Sequence, residues 1–469
     1  MSHEGILDEI VTTFFLNTCR LRPQISEHGV FAVTTCVVPA TMHPREYKEA
    51  DYIPLITGST AEFYIEPMLP HIGDIDVMFH LNIQLAIPRG HLPPTQLPAD
   101  FDNYVRVFEM IDSHLPGYVY LELRYLLTYC ADDDKYHCFE YDSGQYLANR
   151  SENRRVTPHG PAWQSNYSRQ SQLSIDNVPC VRCLSWPPQA DDWPKRHRKH
   201  GWPDSATVDY VVDKGCDVVG VAHRECRHHE WIGKRQHRLS FSRAEIVLIN
   251  NWMPVQQIVY HMLRVFMKAE RLTESADNNG TKILSNYHIK TLMLWACELK
   301  PRSWWTDSLN LVQICVKLLH TLSVWLTDRR YQHYFINNCN LMDNTLSGEM
   351  VASELMSMDE KYLSSWFVEN YICTEHCPDV NTAGMNSKNT ISAIFQCRIA
   401  NSLHESRSVN MWAEYSLEEM SPRLCQRPRS YIAFKYELTK IVDARLTVCI
   451  LCSNLASSGF MQNIKKRFQ

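Results

Sequence analysis

The chain has no run of the ~18 to 20 consecutive apolar residues that a membrane-spanning helix needs, so no membrane contact of that kind is expected. It lacks internal repeats and long Gly/Ser or Pro linkers, which argues against a solenoid or flexibly tethered modules. Glycine is scarce, 16 residues in 469, and with 23 Pro the chain is far from collagen-like or low-complexity compositions. There is no basic excess either: the formal net charge is -5, so any contact with nucleic acid must come from a local patch. The N-terminal MSHEGILDEIVTTFF has no basic flank before its apolar residues, unlike a secretory signal. Without such a signal, 17 Cys are expected to be reduced thiols of a cytoplasmic protein. What remains is a folded composition, 45% hydrophobic and 21% charged. The length suits ~2 to 3 domains, or two lobes sharing one core.

Hydropathy patterning divides the chain. Residues 1 to 22 read as a helix, with Ile6, Ile10, Phe14 and Leu16 to Cys19 on one face. Residues 28 to 40 and 52 to 80 hold short or alternating apolar runs suited to strands. Tyr104 to Tyr129 is dense in apolar residues and Tyr, as in buried helix or strand. Asp132 to Asp134 predicts an acidic loop, and residues 143 to 170 an irregular polar stretch. Beyond residue 250 the period changes. Val255, Ile258, Val259, Met262, Leu263 and Phe266 form one helical stripe, and residues 286 to 299 and 308 to 327 predict two further helices. A mixed α and β first half therefore precedes a helical second half.

The most informative segment is Gly58-Ser59 followed by Gly73-Asp74-Ile75-Asp76-Val77-Met78-Phe79. In a strand, residues i and i+2 share a face, so Asp74 and Asp76 would project together, ~7 Å apart along the chain, where they can share hard divalent cations. Gly58-Ser59 follows a short apolar strand and precedes residues that could open a helix. Backbone N–H groups at such a turn bind phosphate, and Gly permits close approach. Asp-x-Asp and Gly-Ser are each common on ordinary surfaces. In this order and spacing they resemble the apparatus of metal-assisted nucleotidyl transfer.

Three further segments follow in order: Ser174-Ile175-Asp176-Asn177-Val178, running on to Cys183-Leu184-Ser185-Trp186-Pro187; Arg238-Leu239-Ser240-Phe241-Ser242 with Glu245; and Leu284-Ser285-Asn286-Tyr287-His288-Ile289-Lys290-Thr291. With these the chain, over residues 1 to 372, resembles the Mab-twenty-one superfamily and within it the cyclic GMP-AMP synthase-like receptors.

The resemblance implies an α+β, bilobed nucleotidyltransferase fold: a twisted mixed sheet with a long N-terminal helix, plus a C-terminal helical bundle. The expected division is 1–250 for the catalytic core lobe, 251–382 for a helical lobe closing the cleft, and 383–469 for a variable tail. It implies catalytic, metal-binding acids at Asp74, Asp76 and Asp176, with Mg²⁺ (or Mn²⁺) as cofactor. Nucleotide contacts would come from Gly58, Ser59, Arg238, Ser240, Ser242, Glu245, Lys268, Ser285 and Tyr287. Asn286 stands where the family often has Ser, and His237 where the vertebrate enzyme has Trp, which leaves the choice of bases open. The implied activity is synthesis of a cyclic dinucleotide from ATP and GTP on binding a nucleic-acid ligand, read out by a downstream STING-like receptor. A non-catalytic Mab-twenty-one-type interaction protein, and an enzyme that extends RNA ends, are the other readings that stay open.

The vertebrate DNA sensor carries a zinc-binding insertion between the segments matching Glu245 and Lys268. Here Ile246 to Met267 contains no Cys and predicts one uninterrupted amphipathic helix, which shifts the expected ligand towards double-stranded RNA. Cys216, His223, Cys226, His228 and His229 cluster without the paired knuckle spacing of a zinc site, as do the lone Cys180/Cys183 pair and Cys373, His376 and Cys377. Basic residues gather at Lys195, Arg196, Arg198, Lys199, Arg224, Arg227, Lys234 and Arg235. Between 182 and 243 there are 12 Lys and Arg against 8 Asp and Glu, a local excess of +4. Such a stripe suits either a duplex backbone, bound in a salt-sensitive way, or a solvated loop.

Overall fold

The computed structural model describes residues 3–18, 52–58, 74–141, 144–149, 158–159, 162–166, 174–272, 284–306, 310–342 and 348–373. The strand proposed within 28 to 40, the cluster of Cys373, His376 and Cys377, and the tail beyond 383 lie outside the described residues or side chains.

The chain packs as two units. In one, helix α1 (His3–Thr18) meets the helix Glu360–Trp366 and the π-helical turn Phe367–Cys373. Phe15 stacks on Tyr371 at 5.4 Å and meets Phe367 edge-on at 5.3 Å, while Ser364 donates to the Asp8 carboxylate. The buried face of α1 is Val11, Phe14 and Phe15, and Leu16 is exposed. Of the face predicted for this helix, Phe14 is buried, Ile10 half-buried and Leu16 exposed, while Ile6 and residues 17 to 19 lie outside the described side chains.

The other unit carries ten strands among the described residues: β1 (Tyr52–Thr57), β2 (Asp74–Pro88), β3 (Tyr104–Asp112), β4 (Tyr118–Cys130), β5 (Lys135–Glu140), β6 (Pro158–His159), β7 (Ala162–Asn166), β8 (Ser174–Cys183), β9 (Cys216–Val219) and β10 (Gln236–Ser240). The pairing order is β1-β2-β3-β4-β10-β9-β8-β7-β6, with β5 on β4, and a further β2–β8 pairing closes a circuit through β3, β4, β10 and β9. β2 runs parallel to both β3 and β8; the remaining pairs are antiparallel. A register shift between His80 and Leu85 bends β2, so that its first half lies between β1 and β8 and its second half meets β3. Val77 to Leu81 are all buried, as expected of a central strand covered on both faces. Alternation is clean in β4, where Val119, Leu121 and Leu123 point inward. The stretch 143 to 170, predicted irregular, contains β6 and β7. β7 pairs with β8, and this tertiary pairing, absent from any local pattern, orders a polar segment.

Helices follow the sheet: α2 (Ser242–Asn250), α3 (Pro254–Ala269), α4 (Asn286–Leu299), α5 (Leu311–Thr327) and α6 (Glu349–Ser357). The single helix predicted over Ile246 to Met267 is two. Pro254 has no N–H to donate and sits at the first helical position of α3, while Met253 before it is extended, at ψ 151°. α5 buries Leu311, Ile314, Leu318, Leu322 and Leu326 along one stripe with Val312, Cys315 and Leu319 beside it, matching its nearly all-apolar sequence. Its start is set by Asn310, whose side chain accepts from the Gln313 N–H at 3.0 Å.

An aromatic cluster joins the end of β10 to the helical half. Phe241 stacks on Phe335 at 4.7 Å and 16°, and meets Trp186 and His333. Trp193, fully buried, packs on Phe335 and Tyr334. This cluster fixes the position of Ser240 and Ser242 relative to the start of α4.

Candidate active site

The site is built on the pairing of β1, β2 and β8. Asp76 is opposite Thr57 on one side and in register with Asp176 on the other. Residues in register on adjacent parallel strands share a face at the strand spacing of about 4.8 Å. The two carboxylates therefore leave the sheet together, and both side chains are half-buried. Asp74 opens β2 two positions earlier, in register with Ser174. Two carboxylates this close repel one another unless a cation lies between them, and their hard oxygen donors suit Mg²⁺ or Mn²⁺.

Gly58 ends β1 against this pair. Its φ is +63°, in the left-handed region, and a Cβ placed there would lie 2.0 Å from Asp76 Oδ2. A side chain there would be strained by the backbone conformation and would have to displace the Asp76 carboxylate. The backbone at Gly58 thus runs directly past the Asp76 carboxylate. Ser59 lies outside the described residues.

β10 brings the next group. Ser240 Oγ lies 3.9 Å from Met78 Sδ, and Met78 shares the Asp76 face of β2. Ser240 and Ser242 hydroxyls are 3.1 Å apart. Arg238 is exposed. His237 turns to the opposite face, in a cavity lined by Phe79, Leu81, Pro179, Val181 and Val218. Burial lowers its pKa to about 4, opposed by its bond to the Arg235 carbonyl.

The helices supply a polar wall. Glu245, on α2, accepts from Lys290 Nζ on α4 at 2.8 Å, with both side chains nearly buried. Tyr287 lies three residues before Lys290 on the same face of α4, and the Lys290 ammonium is 5.9 Å from its ring centroid. The Tyr287 hydroxyl meets His333 Nε2 at 3.0 Å. Burial raises the Tyr287 pKa well above the ordinary value and Glu245 adds to this, against the nearby charges of Lys290 and Arg238. Burial, with Arg238 and Arg196, lowers the His333 pKa to about 3, so its ring is neutral. Arg238 therefore stands close enough to Tyr287 and His333 to act on both. Ser285 caps α4, bonding His288 Nδ1 through both its N–H and its hydroxyl. Lys268 lies exposed in the last turn of α3. Lys290 and His333 were not singled out from the sequence. Lys290 had a signal in its i+3 spacing from Tyr287; His333 comes from a loop with none.

On the same face, two residues beyond Met78 and four beyond Asp76, lies a second ionisable group. His80, Cys180 and Asp217 hold their donor atoms within 4.8 Å of one another, all buried. His80 is in register with Cys180, as Asp76 is with Asp176. Arg243 Nε donates to Asp217 Oδ2 at 2.9 Å. Arg182 lies across from Asp217 and donates to the carbonyls of Cys183, Cys216 and Lys214. Burial pushes the Asp217 carboxyl up, but Arg243 and Arg182 pull it further down, below its ordinary value. Two guanidiniums already balance this carboxylate and would oppose an added dication, so this layer is a charge-balanced core.

The basic stripe divides. Arg196 turns inward, with its guanidinium over Trp295 at 4.4 Å, bonded to Glu298 at 3.2 Å and to the Tyr334 carbonyl at 2.7 Å. Arg198 donates to the Trp193 carbonyl at 2.8 Å and lies 3.8 Å from the same carboxylate. Lys195, Lys199 and Arg227 are exposed; Arg224, Lys234 and Arg235 are half-buried, with Arg235 over the Trp231 ring at 5.4 Å. The cysteines and histidines of 216 to 229 do not converge. Cys216 pairs in register with Cys183, and Cys226 Sγ lies 3.8 Å from His114 Nε2.

Two family models match the chain. The Mab-21 protein nucleotidyltransferase domain covers residues 127–251 and the Mab-21 protein HhH/H2TH-like domain covers 256–354. Their junction falls at the turn between α2 and α3. The first match includes Asp176 and begins after Asp74 and Asp76. Among curated relatives is a protein named cyclic GMP-AMP synthase-like receptor from Tribolium castaneum, 26% identical over 184 residues. That alignment covers 39% of this chain and 40% of the relative, so the chain spans well under half the length of the relative it matches.

Proposed function

We propose, from the premise that this chain belongs to the Mab-21 family, that its nucleotidyltransferase-type domain joins ATP and GTP into a cyclic dinucleotide when a nucleic-acid ligand, double-stranded RNA foremost, is bound. The observation that carries this reading is the in-register pair Asp76 and Asp176, with the Gly58 backbone against the Asp76 carboxylate. Asp74, Asp76 and Asp176 would hold Mg²⁺. When bound it would offset triphosphate charge and lower the pKa of the attacking ribose hydroxyl.

The chain's own residues position the two nucleotides. The turn at Gly58 and Ser59 admits donor phosphate close to the acids. Ser240 and Ser242 offer hydroxyls beside the acid-bearing strand, and Arg238 a fork of donors for a base edge. Tyr287 presents a half-buried ring for stacking, steadied by His333. Glu245, already paired with Lys290, orients that wall and leaves the ammonium near the ring; Lys268 and Ser285 complete the expected set. Lys195, Lys199 and Arg227 are the exposed cations best placed to neutralise a duplex backbone. The product would act on a STING-like receptor in the cytoplasm.

The test is turnover of labelled nucleoside triphosphates with Mg²⁺ or Mn²⁺, without ligand, with duplex RNA and with duplex DNA. A phosphatase-resistant product is expected, lost by at least ~10³-fold in Asp76→Asn and in Asp176→Asn with the melting temperature unchanged. Elongated RNA, or Mg²⁺-dependent nucleotide binding without any product, would overturn the reading in favour of end addition or a non-catalytic role.

A further inference from the structure

A separate set of metal-binding donors lies on the β4–β5 hairpin. Cys130 ends β4 and pairs with Lys135; Thr128, two residues earlier, pairs with His137. Directly opposed residues share a face, so Cys130 and His137 are diagonal neighbours on one side of the hairpin. The four-residue turn between the strands returns Asp133 to that side. Asp134 takes φ +54°, the left-handed conformation that reverses the chain, and its carboxylate accepts from the Tyr129 hydroxyl at 2.6 Å. Tyr129 packs on Tyr136 at 5.4 Å, so the turn is tied to the sheet. Asp133 Oδ2 then lies 3.0 Å from His137 Nε2, and the donor atoms of Cys130, Asp133 and His137 all fall within 4.8 Å of one another.

We propose that this constellation is a zinc site with three protein ligands and one exchangeable position. A thiolate and an imidazole select a borderline transition ion over Mg²⁺ or Ca²⁺, and three mixed N, O and S ligands leave a tetrahedral position open. The local charge is favourable: Asp132, Asp133 and Asp134 are adjacent, with Lys135 the one cation among residues 130 to 140. The buried layer at His80, Cys180 and Asp217 is the opposite case, with two guanidiniums beside one carboxylate. The hairpin ligands are reachable from solvent, since the Asp133 and His137 side chains are 43% and 52% exposed. The ion would replace the Asp133–His137 hydrogen bond and release the Cys130 proton to solvent. Gly58, Asp76 and Asp176 play no part in the site, so its test is independent of the proposed activity.

Cobalt serves as the probe because tetrahedral Co²⁺ with a thiolate absorbs in the visible and near-ultraviolet. The full chain, reduced and metal-free, is titrated with Co²⁺ and then with Zn²⁺. The expected result is a stoichiometric sulfur-to-cobalt band that Zn²⁺ removes, is absent from Cys130→Ser, and requires at least ~10-fold more Co²⁺ in His137→Ala. Cys180→Ser should leave the band unchanged. A band of equal strength and affinity in Cys130→Ser would place the metal on other cysteines and overturn the proposal, as would no band in the wild-type chain. Cys130 and His137 lie on the hairpin and Cys180 in the core, and a melting curve confirms that each variant is folded.

Discussion

Two layers of ionisable residues occupy one face of the same strand pair, and they differ in what surrounds them. Asp76 and Asp176 lie near the start of β2 and β8, half-buried, beside a turn whose glycine leaves room for a ligand. Four residues further along, past Met78 and Val178, His80 and Cys180 repeat the same register in the core, with Asp217 from β9 and guanidiniums from Arg182 and Arg243. The sheet thus places like groups twice and gives them opposite environments. A buried carboxylate is tolerated when cations are supplied by the chain. At the outer layer two half-buried carboxylates in register offer hard oxygen donors of the kind that suit a divalent cation. The inner layer is therefore expected to matter for stability and the outer one for activity.

The largest effect that would break this contrast concerns Asp217. Asp217→Asn keeps the shape but leaves the buried Arg182 and the partly buried Arg243 without their counter-charge. Removing one partner of such a pair costs about 3–5 kcal/mol, so the urea midpoint should fall by more than one molar for an ordinary slope. A near-neutral Asp217→Asn would mean that the guanidiniums are satisfied by backbone carbonyls alone. Arg182, with three such acceptors, makes that a real alternative.

Gly58→Ala acts on the outer layer. The added methyl would stand 2.0 Å from Asp76 Oδ2, so the carboxylate or the β1 end must move. The left-handed backbone adds about 1–2 kcal/mol of strain. A shift of about 1 Å in a catalytic group costs on the order of 10²-fold in rate, so turnover should fall by that much while stability falls by less than in Asp217→Asn. Unchanged nucleotide turnover in a folded Gly58→Ala chain would remove Gly58 from the site.

Much of this arrangement could be read from residues and some could not. The shift from period two to period 3.6 near residue 250 located the helical half, and the apolar stripes of α3 and α5 match their burial. The alternation around Asp74 and Asp76 predicted a strand. That Asp176 lies beside Asp76 is a matter of parallel pairing across about a hundred residues, which no local pattern encodes; the resemblance supplied it. Tertiary partners explain the misreadings. Glu298 and Trp295 draw Arg196 out of the basic stripe, and β8 orders the polar segment of β7. Pro254, by contrast, was legible as a helix start, but the apolar period ran through it and concealed the break. The inner ionisable layer was not legible, because His80, Cys180 and Asp217 come from three strands; Cys180 stood out only as half of a pair with Cys183, which does not take part.

The effect that is smallest at neutral pH, and grows only below pH 6.5, tests the inner layer by pH. Burial lowers the His80 pKa from 6.5 to about 4; Arg243 and Arg182 act in the same direction and Asp217 against it. At pH 7 the ring is neutral in both the folded and the unfolded chain. As pH falls through 6.5 the unfolded chain takes up a proton that the folded chain refuses, so the contribution is full above pH 6.5 and is lost progressively towards pH 4. Other buried histidines, His237 and His288 at about 4 and His333 at about 3, add the same sign, so the whole protein should lose stability over this range. His80→Gln removes one of these protons. Its stability curve should be shallower than the parent's by up to about 1.4 kcal/mol per pH unit between 6.5 and 4. Denaturant titrations at several pH values measure that slope difference. Parallel curves would mean that His80 is already charged in the fold, bound to Asp217 as an ion pair. The inner layer would then resemble the outer one more closely than its guanidiniums imply.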